Sequence, residues 1–192
     1  MFSSRMGHPK QLAKKYPWTL EGVTKFVGMV NNSMYKSIAT ARALVYERLG
    51  AEELDYIHVE DAVEGACVQF SNLRVKVVND CGGLRVLVDS LLSRLFYNLV
   101  DNSLKHGEKV SKIRVYYEEA KDKLQLVYED DGVGIPLVEK EKVFEQCYGK
   151  GSGLGLYLIK KMCELYGWVI EETGKLGEGA RFTMTIPRKG EC

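Results

Sequence analysis

Asn98, Asn102 and Lys105 are spaced i, i+4 and i+7, which on a helix turning about 100° per residue sets two carboxamides and an ammonium along one stripe. A neutral amide oxygen in such a stripe suits a hard cation, and the ammonium suits an anion. A second group is Asp130, Asp131, Gly132, Val133, Gly134, Ile135 and Pro136, directly after a run in which Leu124, Leu126 and Tyr128 alternate. A carboxylate at the end of a strand can accept a hydrogen bond from an amino group such as that of adenine, and flanking glycines let a ligand come close. The third group, Gly149, Lys150, Gly151, Ser152, Gly153, Leu154 and Gly155, runs into an apolar helical segment. Its backbone N–H groups and the helix N-terminus favour an anion such as phosphate. Each group has an ordinary reading when it stands alone: the solvated side of an amphipathic helix, a tight acidic turn, a flexible loop. The GxGxG spacing without a buried strand just before it argues against a dinucleotide-binding βαβ unit.

These groups need elements to hold them. Asp89 to Lys105 reads as a helix whose Leu92, Leu95, Phe96 and Leu99 form an apolar face beside the polar stripe. Ile113, Val115 and Tyr117, then Leu124, Leu126 and Tyr128, alternate on either side of the charged turn at Lys121 and Asp122, as an antiparallel pair does. Tyr56 to Val59 and Arg74 to Val78 read as strands, Glu60 to Phe70 and Leu156 to Tyr166 as helices, and Trp168 to Glu171 with Arg181 to Ile186 as a closing hairpin. Strands mixed with helices on one face predict an α+β fold, a two-layer α/β sandwich. Ahead of it, Val23, Val27, Val30, Met34, Ile38, Ala41 and Val45 repeat every three or four positions between Trp18 and Leu49. They predict one long helix with a narrow apolar seam, packed on its own domain or paired in a dimerising bundle. Two domains are expected, residues 1–50 with this helix and residues 51–192 with the sandwich.

Composition narrows the function classes. Of the 192 residues, 27 are basic and 26 acidic, so no strong positive field marks the chain as a nucleic-acid binder. Cys67, Cys81, Cys147, Cys163 and Cys192 are odd in number and widely spaced, which fits a reducing cytoplasm better than a disulfide or zinc framework. No run nears the roughly 18 apolar residues that cross a bilayer, so no membrane segment is expected in this chain.

Together and in this order, the three groups resemble the nucleotide-binding domain shared by histidine kinases, type II topoisomerases, mismatch-repair ATPases and heat-shock chaperones, the Bergerat or GHKL superfamily. The resemblance spans about Glu52 to Arg188. Asn98 to His106 is similar to its asparagine box, Asp130 to Gly134 to its first glycine box and Val143-Phe144-Glu145 to its phenylalanine box. Gly151 to Leu156 is similar to the second glycine box and Gly177-Glu178-Gly179 to the last. The likeness is greatest to sensor histidine kinases, because Asn98 stands where the hydrolysing branches carry a glutamate, and an amide cannot take a proton from water; Leu95 to His106, the loop from Asp130 to Pro136 and the short lid from Phe144 to Gly153 look most like archaeal ones.

The resemblance implies bound ATP and Mg2+. It implies that Asn102 helps hold the metal, that Asn98 and Lys105 contact phosphates, and that Asp130 holds the adenine amino group with Gly132 and Gly134 beside the base. Gly151, Gly153, Leu154 and Gly155 would cap the phosphates with Lys150 as a charge partner, and His106 would lie near the adenine or ribose. No catalytic residue is assigned. The implied partners are a response regulator protein and a second copy of the chain, docked through the N-terminal helix. Ser103 stands where alanine is usual, a replacement expected to be harmless, and Ala180 where many relatives have threonine, expected to weaken base binding. No phosphoacceptor histidine is recognisable, since His106 lies in the nucleotide motif, His58 in an expected strand and His8 between Gly7 and Pro9. Three other classes therefore compete with a kinase core: a non-catalytic ATP-binding module, a serine kinase of the anti-sigma type, and a gyrase-like ATPase, the last disfavoured by Asn98.

Overall fold

The computed structural model describes residues 52–71, 73–120, 123–146, 148 and 154–187. The expected helix from Trp18 to Leu49 and the 1–50 segment lie outside the described residues. In chain order the elements are β1 (Asp55–His58), α1 (Val59–Cys67), β2 (Lys76–Asp80), β3 (Arg85–Val88), α2 (Leu91–His106), β4 (Lys112–Ala120), β5 (Lys123–Asp130), α3 (Gly155–Leu165), β6 (Val169–Glu172) and β7 (Arg181–Pro187). Two single-turn 3-10 helices, Leu137–Glu139 and Lys142–Phe144, lie between β5 and α3.

Five strands form one mixed sheet in the order β2-β4-β5-β7-β6. β2 runs parallel to β4 and the other pairs are antiparallel. Period two sorts the side chains: Ile113 and Val115 of β4, Leu124, Leu126, Tyr128 and Asp130 of β5, and Phe182 and Met184 of β7 are buried. The registers Val115↔Tyr128 and Tyr128↔Phe182 put these residues on one face. Leu92, Leu95, Phe96 and Leu99 of α2, Ile159 and Met162 of α3, and Val59, Ala62, Val63 and Ala66 of α1 are buried in the same core. The opposite face carries ion pairs, Arg114 with Asp80 and Arg181 with Glu129, each at 2.8 Å. This is the expected two-layer α+β sandwich.

The structure differs from the sequence reading in places: α1 ends at Cys67 and not at Phe70, and two strands depart from it as well. β2 begins at Lys76 instead of Arg74 and runs through Asn79 and Asp80, because the Asn79 amide donates to Glu60 O at 3.2 Å and its oxygen accepts from Cys81 N at 3.3 Å. β3 was not anticipated. Its four residues pair antiparallel with β1 in a separate two-stranded sheet, from His58↔Arg85 to Asp55↔Val88.

α2 starts after Asp89, which is 2% exposed and accepts from Leu91 N at 3.0 Å, capping the helix from outside. The Tyr166 hydroxyl, just past α3, donates to the same carboxylate oxygen. Burial and that carboxylate push the phenol well above its ordinary range. One buried side chain thus ties the start of α2 to the end of α3. Tyr166→Phe is expected to cost about 1–3 kcal/mol, the range for losing a hydrogen bond to a buried charged group. Urea unfolding should show a lower midpoint at an unchanged slope.

Candidate functional site

The last turns of α2 lie over the end of β5, and residues one position apart on the helix face different sides of the site. Ser103 faces β5: it is 3% exposed, and its hydroxyl donates to Asp130 Oδ2 and lies 2.9 Å from the Tyr128 hydroxyl. Asn102 faces α3, where a Cβ on Gly155 would stand 3.4 Å from Asn102 Oδ1. Glycine at the first position of α3 lets that helix N-terminus approach the amide. Leu154 before it supplies no side-chain cap, so the first N–H groups of an eleven-residue helix keep their affinity for an anion.

Asp130, 8% exposed, ends β5. Its Oδ1 accepts from Gly132 N and Ala180 N, both at 3.0 Å, and Asp130 N donates back to Ala180 O at 2.9 Å. Ala180 therefore lies beside the carboxylate, as expected of the position. Ser103 does not fit its expected role as a harmless replacement, since its hydroxyl is a ligand of the carboxylate oxygen that Oδ1's donors leave open.

The glycines do more than clear space for a ligand. A Cβ on Gly132 would stand 2.7 Å from Gly107 O, and Gly134, at φ 73°, would place one 2.6 Å from Lys175 O. Val133 N donates to Gly107 O at 3.3 Å, and Gly177 N donates to Val133 O at 2.7 Å. The first glycine box is thus laced on one side to the end of α2 and on the other to the β6–β7 connection. Asp131 fastens it to β4 by accepting from Ser111 N at 2.8 Å and Lys112 N at 2.9 Å. Slight burial raises the Asp131 carboxyl, but the Ser111 hydroxyl and these N–H groups outweigh it and hold the group below its ordinary range.

An ion pair with a buried carboxylate completes the frame. Lys140 Nζ, after the first 3-10 turn, lies 2.7 Å from Glu172 Oε2 and donates to Gly174 O. Glu172 Oε1 accepts from Gly174 N and Arg181 N, each at 3.1 Å. Neither this pair nor Tyr128, read from sequence only as part of a strand, figures among the expected site residues.

The expected site residues divide as follows. Asn102 and Gly155 meet, with Leu154 just before Gly155 and Asn98 one turn before Asn102 on α2; Asp130 is joined to α2 through Ser103, Gly132 lies against Gly107 just past α2, and Gly134 lies against the β6–β7 connection. Lys105 is exposed and pairs with Asp101 at 2.6 Å, and His106 is exposed at the end of α2. Lys150, Gly151 and Gly153 lie outside the described residues. His58 is exposed at the end of β1.

Whether these residues suit a metal-bound nucleotide can be judged from their own hydrogen bonds. Among the described residues, the Asn98 and Asn102 side-chain nitrogens are shielded from solvent yet meet no protein partner. Buried polar atoms in folded proteins are normally satisfied, so two orphaned amides one turn apart on one helix, with Asn102 beside the α3 N-terminus at Gly155, fit a polar ligand with anionic groups. Thiol chemistry does not compete among the described residues. Burial first, then nearby carboxylates, push Cys81 and Cys163 up to about 12, and burial also raises Cys67.

A family described as histidine kinase-, DNA gyrase B- and HSP90-like ATPase matches residues 88–190. The chain belongs to this ATPase family. The match takes in α2, the first glycine box, α3 and the closing hairpin, the same segments that carry the orphaned amides and the buried carboxylate. Among individual relatives of this ATPase domain, the alginate biosynthesis sensor protein KinB of Pseudomonas aeruginosa is 35% identical over 109 residues, covering 54% of this chain and 18% of its own length. The sensor protein KdpD of Clostridium acetobutylicum is 33% identical over 144 residues, covering 68% of this chain and 16% of its own. The chain therefore spans under a fifth of these two relatives. Among solved structures, the catalytic domain of histidine kinase ThkA superposes with a TM-score of 0.61 at 25% identity, over 71% of this chain and 98% of that one. Full-length ShkA in complex with AMPPNP shares the fold with a TM-score of 0.65 at 20% identity, over 92% of this chain and 41% of that one.

Proposed function

We propose that this chain is the ATP-binding kinase core of a two-component histidine kinase, acting in the cytoplasm. Its task would be to position Mg-ATP for transfer of the γ-phosphoryl group to a histidine, from which a response regulator takes it. One juxtaposition carries the reading: a nearly buried carboxylate with an open acceptor position at the end of β5, and beside it on α2 two amides without a partner among the described residues. In this reading Asp130 accepts from the adenine amino group, Asn98 and Lys105 contact phosphates, and Asn102 holds Mg2+. Lys105 would exchange Asp101 for phosphate. The α3 N-terminus at Leu154 and Gly155, with Gly151, Gly153 and Lys150, would cap the phosphates, and His106 would border the ribose or base. Bound Mg-ATP supplies the transferable phosphoryl group, and the protein contributes orientation and compensating charge, which is most of what phosphoryl transfer asks of it. Asn98 is an amide and cannot take a proton from water, so fast hydrolysis of ATP is disfavoured.

Calorimetry should show ATP bound about 100-fold or more tighter than GTP, because Asp130 would face the guanine carbonyl with an acceptor against an acceptor. Comparable affinities would overturn the assignment. Labelled γ-phosphate appearing as an acid-labile protein adduct, in this chain or a histidine-bearing partner, separates a histidine kinase from the alternatives. Acid-stable label would identify a serine kinase, and binding with no label a non-catalytic module, the reading favoured by the lack of a recognisable phosphoacceptor motif.

The reading includes a homodimer through the segment from Trp18 to Leu49, whose seam of Val23, Val27, Val30, Met34 and Ile38 is too narrow to enclose itself. Sedimentation of the full chain should show self-association at micromolar concentration, and Val27→Glu with Met34→Glu should leave a monomer of unchanged ATP affinity. A wild-type chain that stays monomeric at high micromolar concentration would instead place the helix on its own domain.

A further inference from the structure

Asp130 is held by more than the strand that carries it. Three donors reach its carboxylate: Gly132 N and Ala180 N on Oδ1, and the Ser103 hydroxyl on Oδ2. A carboxylate only accepts, so the Ser103 proton points at Asp130 and the Ser103 oxygen is left to accept from Tyr128, 2.9 Å away. Tyr128 has no solvent exposure, and its phenol is raised above its ordinary range, chiefly by burial. It therefore keeps its proton and must spend it inside the core. Tyr128 and Asp130 lie two residues apart on β5 and share a face of the sheet, with Ser103 descending from α2 between them. The three side chains form a one-way chain of hydrogen bonds from the Tyr128 hydroxyl through Ser103 to Asp130 Oδ2.

The direction of that chain bears on the base. With both Oδ1 positions filled from the backbone and one Oδ2 position filled from Ser103, a single acceptor position is left on Oδ2. Because the Ser103 proton is committed to the carboxylate and the Tyr128 proton to Ser103, neither hydroxyl is free to donate to a base carbonyl. We propose that Ser103 and Tyr128 are positioning residues for base recognition, fixing Asp130 Oδ2 as the atom that reads a six-amino purine and denying the site a donor for a six-oxo one. This rests on the reading of Asp130 as the adenine acceptor. Without the Ser103 hydroxyl, Oδ2 loses the side-chain donor that fixes it, whether or not Tyr128 is present, and its open position is no longer held toward the ligand. Tyr128→Phe leaves Ser103 in place but frees it to rotate, a smaller disturbance.

The test compares ATP with purine riboside triphosphate, which lacks only the exocyclic amino group, by titration calorimetry on the full chain with magnesium. Wild type should prefer ATP. Ser103→Ala should shrink that preference about tenfold, a single hydrogen bond's discrimination, while binding the analogue as well as wild type does. Tyr128→Phe should shrink it about two- to threefold. The double variant S103A/Y128F removes donor and acceptor together, so the core is left without an orphaned hydroxyl and the protein stays folded. Its preference should match that of Ser103→Ala. A wild type that binds both nucleotides equally would overturn the adenine assignment and this inference with it. A wild type that prefers ATP, with a double variant that prefers it just as much or that loses affinity for both nucleotides by the same factor, would overturn the inference alone and leave the assignment standing.

Discussion

Gly179→Ala is expected to destabilise the domain by more than about 4 kcal/mol, a size reserved for a few mechanisms of which backbone strain with collision is one. At φ 105° Gly179 occupies a region that L side chains rarely adopt, and a Cβ there would stand 1.8 Å from Asp130 O and 2.8 Å from Asp130 C. Both atoms belong to backbone, so no rotamer change relieves the contact. The reciprocal pairing of Asp130 with Ala180 has to open, and that pairing supplies one of the two N–H donors on Asp130 Oδ1. Loss of stability and of nucleotide affinity should therefore come together. Gly177 is the internal control. It also has positive φ, at 87°, but a Cβ there meets nothing within 4 Å, so Gly177→Ala should cost only the left-handed conformational penalty of about 1–2 kcal/mol. Urea midpoints for the two variants, compared at equal slopes, separate collision from conformation. Equal destabilisation of the two would refute the packing role given to Gly179.

That contrast shows what a sequence of this kind discloses. The glycines are legible because their spacing is unusual, and so are the alternation along β4 and β5 and the apolar face of α2, since period and burial follow directly from residue type. The reason for each glycine is not legible. Gly132 and Gly134 look like room for a ligand, yet the structure shows them meeting the backbone of Gly107, Lys175 and Gly179, contacts between segments 25 or more residues apart that no local pattern announces. Ser103 illustrates the same limit: standing where alanine is usual, it reads as a harmless replacement, and only the crossing of α2 over β5 brings it to Asp130. The available signal was a hydroxyl on the apolar side of a helix, one turn beyond Leu99, together with a tyrosine two residues before Asp130. Lys140 and Glu172 are more opaque, being two charges among the chain's 53 ionic side chains, 27 basic and 26 acidic. β3 escaped for a different reason, since four residues between a Gly82-Gly83 turn and Asp89 are too few to establish a period.

Asn102→Ala is expected to move stability and binding in opposite directions. Among the described residues the Asn102 side-chain nitrogen is shielded and finds no protein partner, an arrangement that costs free energy, so its removal should leave stability unchanged or raise it by up to about 1 kcal/mol. Sites built for a ligand are commonly strained in this way, and relieving them trades function for stability. Affinity for Mg-ATP, by contrast, should fall about 100-fold or more if the amide oxygen is a ligand of the metal, because an alanine offers neither an oxygen nor a donor and Gly155, beside it, has no side chain to substitute. The metal dependence provides a signature that mere loss of shape does not. Wild type should bind ATP far more tightly with magnesium than with a chelator, whereas the variant should bind ATP weakly and almost equally in both. Thermal unfolding without nucleotide measures the stability arm, and calorimetry with and without chelator measures the binding arm. Retention of Mg-ATP affinity within about threefold of wild type would remove Asn102 from the metal site. Loss of affinity accompanied by an equal loss of stability would mark it as a packing residue, the outcome that its unpartnered nitrogen argues against.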